Sequence, residues 1–158
     1  QLFAGTIRDN LMFGCPDATE EQIEEALVIS QAKEFVDTKE GRLDAVVEQG
    51  GKNLSGGQRQ RLTLARALVP QSDILIMDDS ASALDYATDA KLRKAIQNMK
   101  RKPTVFIVSQ RTSSIQDADS ILVLDDGKIA GKGTHEELIA SCDIYREIYE
   151  TQFKKEEA

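Results

Sequence analysis

Three short aliphatic runs limit what this chain can fold into: Ile74-Leu75-Ile76-Met77, Val105-Phe106-Ile107-Val108 and Ile121-Leu122-Val123-Leu124. Each has the length of a buried strand, and helical stretches alternate with them. One helix opens at Ser55-Gly56-Gly57, runs to about Val69 and stops at Pro70, and a second covers 88–99. Short apolar strands alternating with helices predict an α/β fold, in which a mostly parallel sheet is covered by helices. The strands are expected at 74–77, 104–109 and 120–125, and Asp125-Asp126-Gly127-Lys128 reads as a hairpin turn into 128–133. Residues 1–53 differ: they read as short helices and loops, with helical pieces over 6–13 and 32–37. Thr19 and Gln22 form a capping-box pair, and the helix that follows puts Ile23, Ala26, Leu27 and Ser30 on one face. Glu20, Glu21, Glu24 and Glu25 then form a solvated face. A second capping box, Thr134 with Glu137, precedes a last helix over 143–153, and Lys154-Lys155-Glu156-Glu157 reads as a frayed end.

The charge balance removes some function classes. Against 27 Asp+Glu stand 20 Lys+Arg, a net charge of −7, whereas a general nucleic-acid or anionic-membrane binder needs a basic excess. With 41% apolar and 30% charged residues the composition is that of a soluble globular chain. No run approaches the ~20 apolar residues that span a bilayer, and the amino end has no signal-peptide pattern. The chain begins with Gln1, so it reads as a fragment of a longer protein. Cys15 and Cys142 lie far apart without metal-like spacing; they read as ordinary thiols in a reducing compartment, and a disulfide scaffold is excluded.

The most specific chemistry sits at Leu54-Ser55-Gly56-Gly57-Gln58, followed by Arg59-Gln60-Arg61. A serine and two glycines at a helix start leave amide N–H groups, a hydroxyl and the positive end of the dipole pointing one way, which suits a phosphate. From Lys52 to Arg66 the charged residues are Lys52, Arg59, Arg61 and Arg66, with no acid among them. Read alone, the same residues are equally a plain serine cap on a glycine-softened helix. Further on, the run 74–77 leads into Asp78-Asp79. A carboxylate at the carboxyl end of a parallel strand is where Mg²⁺–phosphate is held in such sheets, although an isolated Asp there is more often a cap for the next loop. Ser82-Ala83-Leu84-Asp85 follows at once.

Together these segments resemble the signature motif (54–58), Walker B strand (ending at Asp78) and D-loop (82–85) of an ABC-type ATPase domain, in the same order and spacing. Leu2-Phe3-Ala4-Gly5-Thr6-Ile7-Arg8-Asp9-Asn10 resembles the segment just after the Q-loop in ABC exporters, and Val47-Glu48-Gln49-Gly50-Gly51 the exporter-type segment before the signature. The ending, Leu124-Asp125-Asp126-Gly127-Lys128 through Gly133-Thr134-His135-Glu136-Glu137-Leu138, is also similar to that family. The resemblance implies the C-terminal part of a P-loop NTPase core over 54–158 and the family's helical subdomain over 1–53. It also implies ATP and Mg²⁺ as cofactors, with Asp78 as the magnesium residue.

Three departures shape the functional expectation. No Gly-x-x-x-x-Gly-Lys-Ser/Thr occurs, and Gly131-Lys132-Gly133 has the wrong spacing within a hairpin strand. The resemblance therefore puts the family's phosphate-cradling loop upstream of Gln1, and Gln1 is not assigned as the Q-loop glutamine. Asp79 stands where hydrolytically active members have a Glu that polarises the attacking water; such help is worth ~10²–10⁴-fold and depends on reach, which the shorter Asp lacks. Gln110 stands where the family has a switch histidine, and it can hydrogen-bond a phosphate but cannot carry a proton. The only histidine, His135, lies in the capping-box stretch and reads as a surface residue.

Asp79 and Gln110 together suggest the degenerate half of a heterodimeric exporter. The family pattern then implies a second, non-identical ATPase domain with a competent Glu and His, contacts to the exporter's transmembrane domains, and no nucleic acid. Ser55, Gly56, Gly57 and Gln58, flanked by Leu54, would face ATP held on the partner, and Asp85 would contribute from the D-loop. The expected setting is the cytoplasmic face of the plasma membrane. The fragment by itself is expected to be inactive, with one sheet edge and face exposed and inviting self-association. Two other classes compete: a non-transport ABC ATPase, disfavoured by the exporter-like 2–10 segment, and a regulatory nucleotide-binding module without turnover, which Asp79 and Gln110 keep open.

Overall fold

The computed structural model describes residues 1–78 and 84–153, so Asp79, Ser82 and Ala83 lie outside the described residues, as does the expected frayed end at 154–157. The chain divides into two compact units, Gln1–Val108 and Ser109–Ala158. In the first, β1 (Gly5–Thr6) leads into α1 (Ile7–Met12), α2 (Glu20–Ile29) and α3 (Lys33–Asp37). The strand β2 (Val46–Val47) then pairs antiparallel with β1, and α4 (Gly56–Leu68), β3 (Ile74–Asp78), α5 (Tyr86–Gln97) and β4 (Thr104–Val108) follow. In the second unit the hairpin β5 (Ile121–Asp125) and β6 (Lys128–Gly133) precedes α6 (His135–Ser141) and α7 (Asp143–Phe153).

The helices begin where side chains can replace the missing acceptors of their first amides. Thr19 Oγ1 accepts the Gln22 N–H at 3.2 Å while the Gln22 side chain accepts the Thr19 N–H at 2.8 Å, so the expected capping box forms in both directions. Thr134 and Glu137 do the same for α6. Two further boxes, Thr6 with Asp9 and Ser55 with Gln58, start α1 and α4. The buried face of α2 is the expected one: Ile23, Ala26 and Leu27 join the core, and the Ser30 hydroxyl donates to the Leu27 carbonyl at 3.2 Å.

One core runs through the first unit. Ile7 and Leu11 of α1, Ile23 and Leu27 of α2, Leu62 of α4 and Leu92 of α5 are fully buried in it, with Val36, Val47 and Val69. Asn10 lies wholly inside this packing. Its side-chain oxygen accepts the Phe3 N–H at 3.0 Å, and its amide nitrogen donates to the carbonyls of Phe3 and Thr6, each at 3.0 Å. One amide thereby fixes the path of the strand-like segment ahead of α1, satisfying backbone groups that burial would otherwise leave unpaired.

The β3 and β4 strands pair in parallel with Ile74 opposite Thr104 and Asp78 opposite Val108, the one parallel pair among the described residues; the other two sheets are antiparallel pairs. Here the expectation of buried strands needs correction. Leu75 and Met77 turn into the core, Met77 with 3% of its surface exposed, whereas Ile76 is 69% exposed and Ile74, Phe106 and Val108 share its face. The apolar run has no alternation because its residue types suit burial on both faces, but helices α4 and α5 of this unit cover only one. The hairpin repeats the pattern: Ile121 and Val123 are buried against Leu138, Cys142 and Tyr145, while Leu122, Leu124 and Ile129 face outward.

An ion-pair cluster ties the helical region together. Lys33 Nζ lies 2.6 Å from Glu24 and 3.1 Å from Asp37, and Arg42 lies 2.6 Å from Asp37 and 3.1 Å from Glu24. The Lys33 hydrogen bond is the main influence holding the Glu24 carboxyl below its usual range, and Arg42 does the same for Asp37.

Two outcomes are expected. Replacing Asn10 by Leu leaves the Phe3 N–H and the Phe3 and Thr6 carbonyls without their partner inside the core, so denaturant unfolding should show a loss of about 1–3 kcal/mol. Glu24 and Asp37 titrate lower in the folded than in the unfolded chain, so their contribution is complete above the ordinary carboxylate range. It is lost as the pH falls through the lowered folded values. Unfolding followed between neutral and acid pH should therefore show a fall that becomes shallower in Arg42→Met; an unchanged acid slope in that variant would refute the coupling.

Candidate phosphate-binding helix start and associated loops

The sequence motif 54–58 becomes a defined piece of geometry at the start of α4. Leu54 is buried and anchors the turn. Ser55 is extended (φ −66°, ψ 162°), its Oγ accepts the Gln58 N–H at 3.2 Å, and its own N–H donates to Gln58 Oε1 at 3.0 Å. The hydroxyl uses a lone pair in this exchange, so its proton is left to donate outward. Gly56 and Gly57 occupy the first helical positions, whose amides have no acceptor within a helix. An exposed hydroxyl donor and these amides at the positive end of a thirteen-residue helix make a donor set that fits an anionic oxygen group such as a phosphate.

The arginines of this region have a different task from the one their clustering suggests. Arg59 donates to the Leu54 carbonyl at 2.7 Å and to that of Gly51 at 3.4 Å. Arg61 donates to the Gln31 carbonyl at 2.9 Å and to that of Gly57 at 3.3 Å, and its guanidinium lies 5.0 Å from the centre of the Phe35 ring. Arg66 donates to the Gln1 carbonyl at 3.0 Å. All three cations thus hold backbone around α4, and only Lys52 of the four basic residues stays exposed beside the helix start. The turn before the helix requires glycine: Gly51 has φ +66°, and a Cβ there would come within 2.9 Å of the Arg59 side chain. Arg59, read in the sequence only as one of four basic residues, therefore positions the entry to the motif; its partners are carbonyls, which leave no sequence signal.

At the carboxyl end of β3, the Asp78 carboxylate is exposed, as a hard oxygen ligand for a divalent cation would have to be. A cleft of about 630 Å³ brings Asp78, Ile76 and Met77 together with Gly56, Arg59 and Gln60 from α4 and Gln1 and Leu2 from the amino end. The strand end and the start of α4 thus border one concavity, while Asp79 lies outside the described residues. Asp85 caps α5: one carboxylate oxygen accepts the Thr88 N–H at 2.9 Å and the other its hydroxyl at 2.8 Å. Those bonds, the backbone one first, hold the Asp85 carboxyl below its usual range, so it stays ionised.

Within the second unit, Gln110 is exposed in the loop that follows β4. The loop is braced from α7. Gln152 donates to the Gln110 carbonyl at 2.6 Å, and its Oε1 accepts both the Thr112 N–H at 2.9 Å and the Thr112 hydroxyl at 3.0 Å. Gln152 was not singled out from the sequence, because its partners lie some forty residues away. His135 is half-buried and not a simple surface residue: its Nδ1 pairs with the Tyr145 hydroxyl at 2.9 Å and its ring packs on Tyr149. Gly131 of the false phosphate loop is structural, since a Cβ there would lie 2.9 Å from Leu138 and 3.0 Å from Cys142 Sγ. Among the described residues no cluster of His, Cys, Asp and Glu is arranged to hold a metal by itself, and no helix is long and apolar enough to cross a membrane.

Known proteins are similar to this chain in sequence and fold. The family described as ABC transporter matches residues 1–82. An uncharacterised ABC transporter ATP-binding protein of Mycobacterium tuberculosis is 46% identical over 154 residues, covering 96% of this chain and 26% of the relative. An ATP-dependent lipid A-core flippase of Shewanella frigidimarina is 41% identical over 98% of the chain and 26% of the relative. A beta-(1-->2)glucan export ATP-binding/permease protein of Rhodopseudomonas palustris is 41% identical over 99% of the chain and 26% of the relative. The solved structure of a bacterial Atm1-family ABC exporter with ATP bound superposes with a TM-score of 0.91 at 32% identity, covering 96% of this chain and 27% of that one. The chain thus spans about a quarter of the length of these relatives. By the family match over 1–82 and these identities across nearly all of its length, the chain belongs to the ABC transporter family.

Proposed function

We propose that this chain is the signature-bearing part of the ATP-binding domain of an ABC exporter, coupling ATP binding and hydrolysis to export of a substrate across a membrane. Residues 1–53 are its helical subdomain and 54–158 the C-terminal part of its ATPase core. The observation that carries the reading is the start of α4, where the Ser55 hydroxyl and the first-turn amides present donors to an anion. Relatives named as a flippase and as an export protein, each matching over nearly the whole chain, support the exporter assignment.

Each site residue then has a role. Ser55, Gly56, Gly57 and Gln58, seated by Leu54, bind the terminal phosphate of an ATP held by a second ATPase domain; Asp85 orients the D-loop at that contact. Asp78 holds Mg²⁺. The nucleotide supplies a phosphoanhydride bond, and the work of this chain's residues is to bind and orient it and to exclude water. Asp79 stands at the position of the water-polarising Glu, one methylene short, and Gln110 at that of the switch histidine, unable to move a proton. Both weaken this chain's own part in turnover, which is why the partner is assigned as non-identical, with a competent Glu and His. The transmembrane domains of the exporter are further partners, and the setting is the cytoplasmic face of the plasma membrane. Without the upstream phosphate loop the isolated chain has no ATPase activity.

The same two substitutions favour a second reading, a regulatory nucleotide-binding domain without turnover. The full-length chain with its partner in membranes separates the possibilities. Ser55→Arg places a cation and bulk in the donor set and should lower ATP turnover by ~10²-fold or more, whereas Asp79→Asn should leave it within about twofold. Loss of turnover in Asp79→Asn would make Asp79 a working base and overturn the degenerate assignment. Asp79→Glu combined with Gln110→His should raise turnover; a complex that never turns over in any of these forms is the regulatory module.

A further inference from the structure

Gln152 sits in the last turn of α7, yet its side chain makes no bond to its own helix; all three of its hydrogen bonds go to the loop that carries Gln110. The amide orientation is fixed by its partners. Two donors on Thr112, the backbone N–H and the hydroxyl, need the oxygen, and the Gln110 carbonyl needs the nitrogen. Thr112 itself is buried, with 3% of its surface exposed, so its donors have no solvent to fall back on. On the loop side, Ser109 Oγ accepts the Arg111 N–H at 2.9 Å, which narrows the turn. The main chain at the exposed Gln110 is therefore held at its own carbonyl and at an amide two residues on, both by one glutamine.

We infer that Gln152 is a positioning residue for Gln110, and that the terminal turn of α7 sets the geometry of the switch position. This rests on the proposed assignment of Gln110 to the nucleotide. A glutamine at the switch position has no charge with which to find a phosphate, so its contribution depends on being held in place. The last turn of α7 thereby becomes a control point: whatever displaces it removes these three bonds from the Gln110 loop, with no change to Gln110 itself.

The test uses the full-length transporter with its partner. It reads hydrogen exchange at the Thr112 amide and the concentration of radiolabelled ATP, with Mg²⁺, needed for half-maximal retention on this chain. Gln152→Ala removes all three bonds and should speed Thr112 exchange about tenfold or more and raise the half-saturating ATP concentration about fivefold. Gln152→Glu keeps an acceptor for Thr112 but opposes the Gln110 carbonyl with a carboxylate; it should protect Thr112 partly and still weaken retention. Thr151→Ala, whose hydroxyl bonds only to Glu147 of its own helix, should change neither readout. Unchanged Thr112 exchange in Gln152→Ala would overturn the inference, as would Thr151→Ala matching it. Gln110→Ala separates the two layers. If it weakens retention while Gln152→Ala does not, the inference fails and the assignment of Gln110 stands. If Gln110→Ala itself retains ATP normally, that assignment fails and the inference with it.

Discussion

The burial of α4 against α1 and α2 is the constraint on which the proposed chemistry depends. Leu62 sits at the middle of α4 and is fully buried in the core that also holds Ile7 and Leu11 of α1 and Ile23 and Leu27 of α2, which fixes the rotation of the helix about its axis. That setting decides where Ser55, Gly56 and Gly57 point. A helix dipole and a row of unpaired amides are generic; a direction for them is not, and here the apolar seam supplies it. Asn10 serves the same end from the other side, because the segment it fixes ahead of α1 borders the helix that α4 packs on.

Charge is distributed in an unexpected way around that helix. Three arginines in and beside the signature segment are drawn to carbonyl oxygens, where they brace the Gly51–Leu54 turn, the Gln31 corner and the amino end. Apart from the exposed Lys52, the attraction for an anion is left to dipoles and a hydroxyl. Such donors are fixed by the backbone and lose little freedom when a ligand arrives, in contrast to a long cationic side chain. The strand-end carboxylate Asp78 and the ionised cap Asp85 supply the negative counterpart within the same unit.

Much of this was legible in the residues because it is local. Thr19 with Gln22 and Thr134 with Glu137 announce helix starts within four residues, and the runs ending at Met77, Val108 and Leu124 announce strands. Ser55 with Gln58 has the same pattern; the residues alone leave a serine cap and a phosphate site equally open, and the reciprocal cap is what forms. What could not be read is what depends on distance. No pattern in Ile74-Leu75-Ile76-Met77 tells that one face is buried in the core and the other is left largely exposed among the described residues. No spacing links Gln152 to Thr112, or Arg59 to the carbonyl of Leu54, since the partners are main-chain groups that every residue carries. Burial of His135 against Tyr145 and Tyr149 is of the same kind: the residues of a later helix decide it.

The four reciprocal caps also have a kinetic meaning. Each closes a loop of only three residues, from Thr6 to Asp9, Thr19 to Gln22, Ser55 to Gln58 and Thr134 to Glu137. Loops that short close at little entropic cost, whereas pairing Ile74 with Thr104 must bring together strands thirty residues apart. As the chain emerges from the ribosome, the registers of α1, α2 and α4 are marked before β4 exists to pair with β3. The turn at Ser55–Gln58 thus needs only a local closure, whereas the parallel strand pair that carries Asp78 needs a long-range one.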